Sequence, residues 1–568
     1  MLSPLPKTAL EFMSWPWAQI EPYYQELVDR PIDVGSVSAW LADWSRLSRL
    51  FYETHERLYV ATTLDTADLE AERRYNAFLD ELRPASQTAD QKLKEKLLAT
   101  GLRPEGFEIA LRNMRTESGI FQQENLALLS DDLKLGAEYA KIVGAQTVNW
   151  QGDEITLTQL TPVYLEPNRE LRERAWCLAS ERWLADREAI NAVWFKLLGV
   201  RRQLAANVNL PDYQSYRWRQ LLRFDYTPED CKKFHRAIEQ VVVPAASRIY
   251  EKRRQRLGVR ALRPWDLDVD PLGRPPLKPY KSISELEEKT AAVFHRVDPQ
   301  FGEYFELMRR ENLLDLDNRK NKAPGGYCTD FPVAERPFIF ANSVGLHDDV
   351  QTLLHEGGHA FHFFECFRIP YFQQLYAPVE FMEVASMGME LLASPYLTRD
   401  SGGFYTADEA ARARIEHLEF SVRFWPYMAV VDAFQLWAYE NPQAAADPAN
   451  CDACWDELWQ RFMPGVDWSG LEEERMTGWH RKLHIFETPL YYVEYGLALL
   501  GAVQVWRRAL SDQTAAVAAY RQALALGNMV TLPELFDAAG AKFALDAETL
   551  GEAVALIERT LEALGGVH

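Results

Sequence analysis

Apolar residues recur every three or four positions, with charged residues between them, over residues 37–60, 65–83, 90–101, 105–116, 120–144 and 168–207. That is the period of helices that bury one face. Pro84, Pro104 and Pro211 interrupt or bound these runs. Residues 146–165 alternate apolar and polar side chains around Gly152-Asp153 and predict a small β-hairpin between helices. Residues 262–280 have no period and carry five prolines, as in a surface excursion or a connection between lobes. Residues 317–347 contain Gly325-Gly326, then YCTDF and PFIFANS, which predict two short strands. From about residue 348 the helical period returns. The predicted class is mostly α, a large multi-helix body with a small β-sheet beside the middle of the chain.

Composition narrows the picture. The chain has 568 residues, of which 47% are hydrophobic and 26% charged, which excludes wholesale disorder. A formal charge of -21 repels phosphate backbones and anionic lipid, so neither nucleic acid nor a membrane is an expected partner. Six cysteines are too few for a disulfide framework, and the lone Cys451-x-x-Cys454 lacks a second pair for a structural zinc site. The N-terminal residues lack a basic region followed by an apolar one, and GLALLGAVQVW (496–506) is too short to span a bilayer. The expected location is the cytoplasm.

The chemistry concentrates in DVQTLLHEGGHAFHFFEC, residues 349–366, which contains His355-Glu356-Gly357-Gly358-His359. Two histidines four apart on a helix present two imidazoles to one Zn²⁺, and the glutamate beside the first can take a proton from a metal-bound water. Asp348 is the expected helix cap, with Gln351 three residues on. Val350, Leu353, Leu354, Phe361 and Phe364 make the expected buried face, and Gln351, His355, His359 and His362 a polar stripe. Two adjacent glycines inside a helix cost about 1 kcal/mol each relative to alanine. They make sense where the helix lies close under a substrate or another backbone.

A catalytic zinc needs a third protein ligand and an open position. Glu365 lies six residues after His359, but the segment between lacks the glycine turn that such a ligand requires, so Glu365 is expected to be a surface charge. His362 lies one turn beyond His359 and is expected to support the site or fill the core. The segment 378–394, PVEFMEVASMGMELLAS, offers Glu383 and Glu390 on one face of an otherwise apolar helix. Buried carboxylates require partners. Glu383 as ligand, with Glu390 orienting a ligand histidine, satisfies both.

HEGGHAFH followed by EVASMGME from Glu383 resembles the M3 family of zinc metallopeptidases, most of all the oligoendopeptidase F group. The resemblance runs from about Leu262 to the C-terminus and is weaker over the first 200 residues. It implies His355, His359 and Glu383 as zinc ligands, one Zn²⁺ per chain, Glu356 as general base and Glu390 behind the ligands. In WHRKLHIFETPLYYVEYGLA (479–498) it implies His484, Tyr492 and Tyr495 as groups that position substrate and stabilise the oxyanion, with Tyr491 the rival for Tyr492. A phenol aimed at a developing oxyanion in a dry cleft is a suitable donor. His480 is expected to be structural. The resemblance places Gly325, Gly326 and Tyr327 in a substrate-binding loop, where glycines allow close backbone approach. The two strands following it would offer an edge to an extended peptide. It also implies two lobes around a deep central cleft, here residues 1–205 and 206–568.

The expected protein is thus a zinc-dependent endopeptidase acting on short peptides that can enter the cleft. Two other readings compete. A carboxylate-bridged di-iron bundle requires a second E-x-x-H, and no other of the 11 histidines has Glu three residues before it. A metal-bearing, non-catalytic peptide-binding scaffold would have no use for Glu356.

Overall fold

The computed structural model describes residues 4–319 and 321–565. Most of these are helical, as the apolar period predicts, including Val37–Leu64, Glu108–Ile120, Asn125–Gly144 and Arg187–Asn207. Two predicted boundaries shift. Pro84 does not end its helix. A π-helical turn over Phe78–Leu82 leads directly into Arg83–Thr100, so Pro84 falls in the first turn, where no backbone N–H is needed. The run 168–207 is two helices, broken at Asp186.

The strands form two sheets. β1 (Thr147–Trp150) and β2 (Asp153–Thr156) make the predicted hairpin, but it closes by Thr156, and Leu157–Tyr164 is a helix whose cap is the Thr156 hydroxyl. The second sheet contains the two predicted strands, β4 (Tyr327–Phe331) and β5 (Arg336–Ser343), paired antiparallel. It also contains a strand the period did not reveal, β3 (Leu314–Asp317), which is parallel to β5. β5 is therefore central, and β4 lies on the outside with one edge lacking a strand partner.

The sheet matters because the motif helix, His347–Cys366, follows β5 after a tight connection. Its start differs from expectation. Asp348 is not the cap. Asp349 Oδ2 accepts from the backbone N–H groups of Val344 (3.0 Å), Gly345 (2.7 Å) and Leu346 (2.7 Å) and from the Tyr280 hydroxyl (2.5 Å). One carboxylate thus gathers the donors of the strand-to-helix turn and fixes how the helix leaves the sheet.

The apolar side chains collect in one large core, drawn from segments between Ile120 and Ile557, and a smaller one between Phe12 and Met114. The helix Val37–Leu64 ties the smaller core to β4. Tyr52 donates to Asp330 (3.2 Å), Glu53 accepts from the N–H groups of Val333 (2.7 Å) and Ala334 (3.0 Å), and Glu56 accepts from Thr329 (2.6 Å).

The proline-rich segment 262–280 is not a surface excursion. Asp266 within it is fully buried and accepts from Arg169 (2.8 Å) and Arg172 (3.0 Å), while Arg253 donates to the carbonyls of Asp266 (3.0 Å) and Val269 (2.5 Å). Arginines satisfy backbone that no helix or sheet can. Cys451 and Cys454 lie in the helix Pro448–Phe462 as free thiols. Among the described residues no helix is long and apolar enough to cross a membrane.

Removing Asp266 would leave the buried Arg172 guanidinium unpaired. Asp266→Ala is expected to cost about 3–5 kcal/mol, read as a lowered denaturation midpoint. Asp266→Glu is expected to recover part of that loss.

Candidate active site

The site is built where two helices cross. The second is Val379–Ala393, the glutamate helix. A Cβ on Gly358 would lie 2.5 Å from the Ala385 carbonyl oxygen and 2.6 Å from Ser386 Cα; one on Gly357 would lie 2.4 Å from the Phe294 ring. Gly358 is therefore the crossing point at which the glutamate helix backbone rests on the motif helix, and Gly357 makes room for Phe294. Tyr520 holds the crossing from beneath, donating to the Ala385 carbonyl at 2.5 Å.

At this separation the side chains one turn to either side converge. Glu383 Oε2 lies 3.4 Å from His355 Nε2 and 3.6 Å from His359 Nε2, and the three ligand atoms lie within 4.8 Å of one another. A tetrahedral zinc with bonds of about 2.0–2.1 Å sets its ligands roughly 3.4 Å apart, so two imidazoles and a carboxylate so spaced fit such an ion. The His355 side chain is 22% exposed, the His359 side chain 12% and the Glu383 side chain 5%, leaving one side accessible.

Each donor is oriented from behind. Glu390 Oε1 lies 2.6 Å from His355 Nδ1 and Glu390 Oε2 lies 2.7 Å from His417 Nε2, so one carboxylate spans two imidazoles. Glu383 Oε1 accepts from the Tyr491 hydroxyl at 2.6 Å, and Ser386 Oγ lies 3.2 Å from Glu383 Oε2. Burial pushes the Glu383 and Glu390 carboxyls up. The neighbouring imidazoles and hydrogen bonds outweigh it and hold both at about 2. Burial lowers His359 to about 4, leaving its imidazole neutral at pH 7, as a ligand requires. His355 is also pushed down by burial, but Glu383 and Glu390 carry it well above its ordinary value.

Glu356 is nine-tenths buried beside this group. Burial, with Glu383 and Glu390 nearby, raises its carboxyl to about 7 against the opposing pull of His355. A Cβ on Gly326 would be 3.8 Å from Glu356 Oε1, so the loop before β4 passes directly over the glutamate. Gly325 takes φ +91°, and its carbonyl accepts from Asn342 at 2.9 Å. Tyr327 turns away from the histidines, pairing with Thr63 Oγ1 (2.6 Å) and stacking on Phe340.

His484 Nε2 lies 3.3 Å from the Tyr495 hydroxyl. The phenols of the neighbouring tyrosines diverge. That of Tyr491 reaches Glu383, whereas that of Tyr492 accepts from Lys482 Nζ at 3.1 Å. Leu490, just before them, has φ +61°. A non-glycine residue there is strained by about 1–3 kcal/mol. Both backbone groups of Leu490 are pinned, its N–H by Gln435 (2.7 Å) and its carbonyl by Arg223 (2.7 Å). Arg223 also pairs with Glu494 and lies 3.6 Å from Glu380, which accepts from Tyr226 at 2.6 Å.

The remaining expectations divide. His362 is in the core, with neither ring nitrogen hydrogen-bonded. Glu365 is not a surface charge: it is buried and paired with Arg521 at 2.8 Å. His480 is buried against Asn191 (2.8 Å). His417, Arg223 and Leu490 escaped the sequence reading. His417 lies far along the helix Ala407–Glu440 with no motif around it, and nothing in the sequence marks a leucine with positive φ.

Because the obstacle at Gly358 is backbone, no rotamer change relieves it. Gly358→Ala is expected to separate the helices and weaken metal binding at least tenfold with helical content retained, measured by chelator competition and far-UV circular dichroism. Glu390→Gln is expected to weaken it about 10–100-fold.

Comparison with known proteins accords with this architecture. The model of peptidase family M3 matches residues 164–553. A search of curated protein sequences gives no match. Among solved structures, PZ peptidase A with an inhibitor superposes with a TM-score of 0.90 at 26% identity, over 99% of this chain and 98% of that one. A protein described as an oligoendopeptidase F gives 0.90 at 27% identity, over 96% of each chain. The oligoendopeptidase-F from Enterococcus faecium gives 0.63 at 13% identity over 97% of each, a likeness of fold alone. With well over half of its length matched by the family model, this chain belongs to peptidase family M3 and is a peptidase hydrolase.

Proposed function

We propose that the protein is a zinc-dependent endopeptidase that hydrolyses internal bonds of short peptides. The observation that carries this reading is the approach of His355 Nε2 and His359 Nε2 to one oxygen of Glu383, with Glu356 buried alongside. Zinc bound there would polarise the scissile carbonyl and acidify a water.

The protein's own residues supply the rest. Glu356, near neutrality in its buried setting, takes a proton from the attacking water and passes it to the leaving amine. His484 and Tyr495, hydrogen-bonded to each other, offer donors to the oxyanion. Burial keeps His484 neutral, lowering it to about 3 with Lys482 adding to the effect, so it donates from one ring nitrogen as an uncharged imidazole. Tyr491 holds the Glu383 carboxylate in place rather than touching substrate. Tyr492, whose phenol is engaged by Lys482, packs behind His484 with ring centroids 5.0 Å apart.

An extended peptide would lie along the open edge of β4, with Gly325 and Gly326 allowing its backbone close to Glu356. Recognition through main-chain hydrogen bonds implies broad tolerance of side chains. In this reading residues 1–205 wall one side of the cleft and residues 206–568 carry the chemistry, which restricts substrates to unfolded oligopeptides. The names of two similar structures, a PZ peptidase and an oligoendopeptidase, agree with that substrate class. The cytoplasm remains the proposed location.

Glu356→Gln is expected to retain one zinc per chain by metal analysis and to lose about 10²–10⁴-fold in peptide cleavage. Chelator should abolish wild-type cleavage of a quenched fluorescent peptide, and added zinc should restore it. Tyr495→Phe is expected to lower kcat about 10²-fold with KM little changed. Full activity in Glu356→Gln would overturn the assignment.

A further inference from the structure

Beside His484 lies a cation that the hydrolytic machinery does not use. Lys482 sits half-buried with its ammonium 4.7 Å from the Tyr492 ring centroid and 5.2 Å from that of Tyr427. Its hydrogen bond is to the Tyr492 hydroxyl, and among the described residues no carboxylate forms an ion pair with it. In a chain of net charge -21 its near neighbours are aromatic rings and a phenol, not carboxylates. Arg481, next to it, also lacks an ion pair. Its Nε is buried and without a hydrogen-bond partner, and its guanidinium faces the Trp176 ring at 6.0 Å. Two adjacent cations stand on aromatic faces, which tolerate positive charge without neutralising it.

The position is functional. Both Lys482 and His484 pack on the Tyr492 ring, with the ammonium 4.7 Å and the imidazole centroid 5.0 Å from its centroid. The ammonium is therefore within about 10 Å of the imidazole, the span of roughly three extended residues. Leu483, the next residue, is an exposed apolar side chain at 43%, and Phe420, at 55%, packs on Phe424 with ring centroids 5.8 Å apart. Phe424 continues this surface to Tyr492 and Tyr495, at centroid distances of 5.8 Å and 6.2 Å. An unpaired cation next to an apolar shelf matches the end of a peptide, which carries a charged group and a side chain together. Desolvation lowers Lys482 to about 8, and an anion placed against it would reverse that shift.

We propose that Lys482 receives a carboxylate of the peptide substrate and so favours peptides that carry one within about three residues of the scissile bond. The proposal rests on the peptidase reading above. The carboxylate could be the peptide's C-terminus or an Asp or Glu side chain, which present the same chemistry to an ammonium.

Three versions of one peptide separate these sources: the free acid, the C-terminal amide, and the amide with a glutamate near its end. Cleavage is followed by chromatography with wild-type holoenzyme and with Lys482→Met, Lys482→Gln and Lys482→Arg. The free acid is expected to be cleaved about tenfold more efficiently than the amide, mainly through KM, since a charge-assisted hydrogen bond is worth about that much. The ratio should fall to near one in the Met and Gln variants and persist in the Arg variant. A preferred glutamate-bearing amide, with free acid and plain amide equal, would assign the site to a side-chain carboxylate. Equal cleavage of all three by wild-type enzyme would overturn the proposal while leaving the peptidase reading intact, as would a preference that survives Lys482→Met. Failure of wild-type holoenzyme to cleave any of them would overturn both.

Discussion

The structure depends on one close approach between two helices. Where the motif helix passes the glutamate helix, the residue at 358 has no room for a side chain, because the space is filled by the Ala385 carbonyl and Ser386 Cα. Helices packed through ordinary side chains stay 8–10 Å apart. Removing the side chain at 358 lets the second backbone settle onto the first, while glycine at 357 makes room for the Phe294 ring, and the carboxylate of Glu383 then reaches the imidazoles. The roughly 2 kcal/mol of helix propensity that two glycines forgo is set against this geometry. A longer side chain reaching across a wider gap could make the same contacts, but with more rotamers to freeze and less positional control.

A second constraint acts on the segment that carries His484 and the tyrosines. That stretch is irregular, so its carbonyls lack helix or sheet partners, and buried arginines supply them. Arg201, itself fully buried, donates to the carbonyls of Ile485 and Phe486 and to Tyr439, while holding Asp132 at 2.8 Å. Arg217 donates to Pro489 and Arg223 to Leu490. The same device fixes the proline-rich segment through Arg172 and Arg253. Guanidinium suits this task because its planar fork satisfies several oxygens at once and stays charged when buried. Held this way, the loop can keep a leucine at positive φ and send two adjacent phenols in opposite directions, one to Glu383 and one to Lys482.

The electrostatics of the centre follow from which buried groups have partners. Glu383 and Glu390 are each matched to imidazoles and hydroxyls and stay ionised; Glu356 has no such partner and is displaced toward neutrality. Three carboxylates within one site thus differ in ionisation because of their surroundings, not their identity.

Much of this was legible in the residues. The helical period predicts most of the helices, and the strand-forming residues of YCTDF and PFIFANS predict β4 and β5. The spacing of His355, Glu356 and His359, together with charge on an otherwise apolar helix at Glu383 and Glu390, marks the centre, because helical geometry converts an offset of four into a shared face. What sequence could not supply depends on contacts between distant segments. β3 is too short to show a period and exists only through its pairing with β5. Glu365 resembles a surface charge until Arg521, from another helix, is brought against it. His417 gains a role only because Glu390 comes within 2.7 Å of it. That Tyr491 and not Tyr492 meets Glu383 is decided by how this segment packs against the glutamate helix. Local periodicity is written in neighbouring residues and can be read from them. The direction of a side chain, and the partner that meets it, are fixed only when remote backbone is packed and its polar groups must be satisfied.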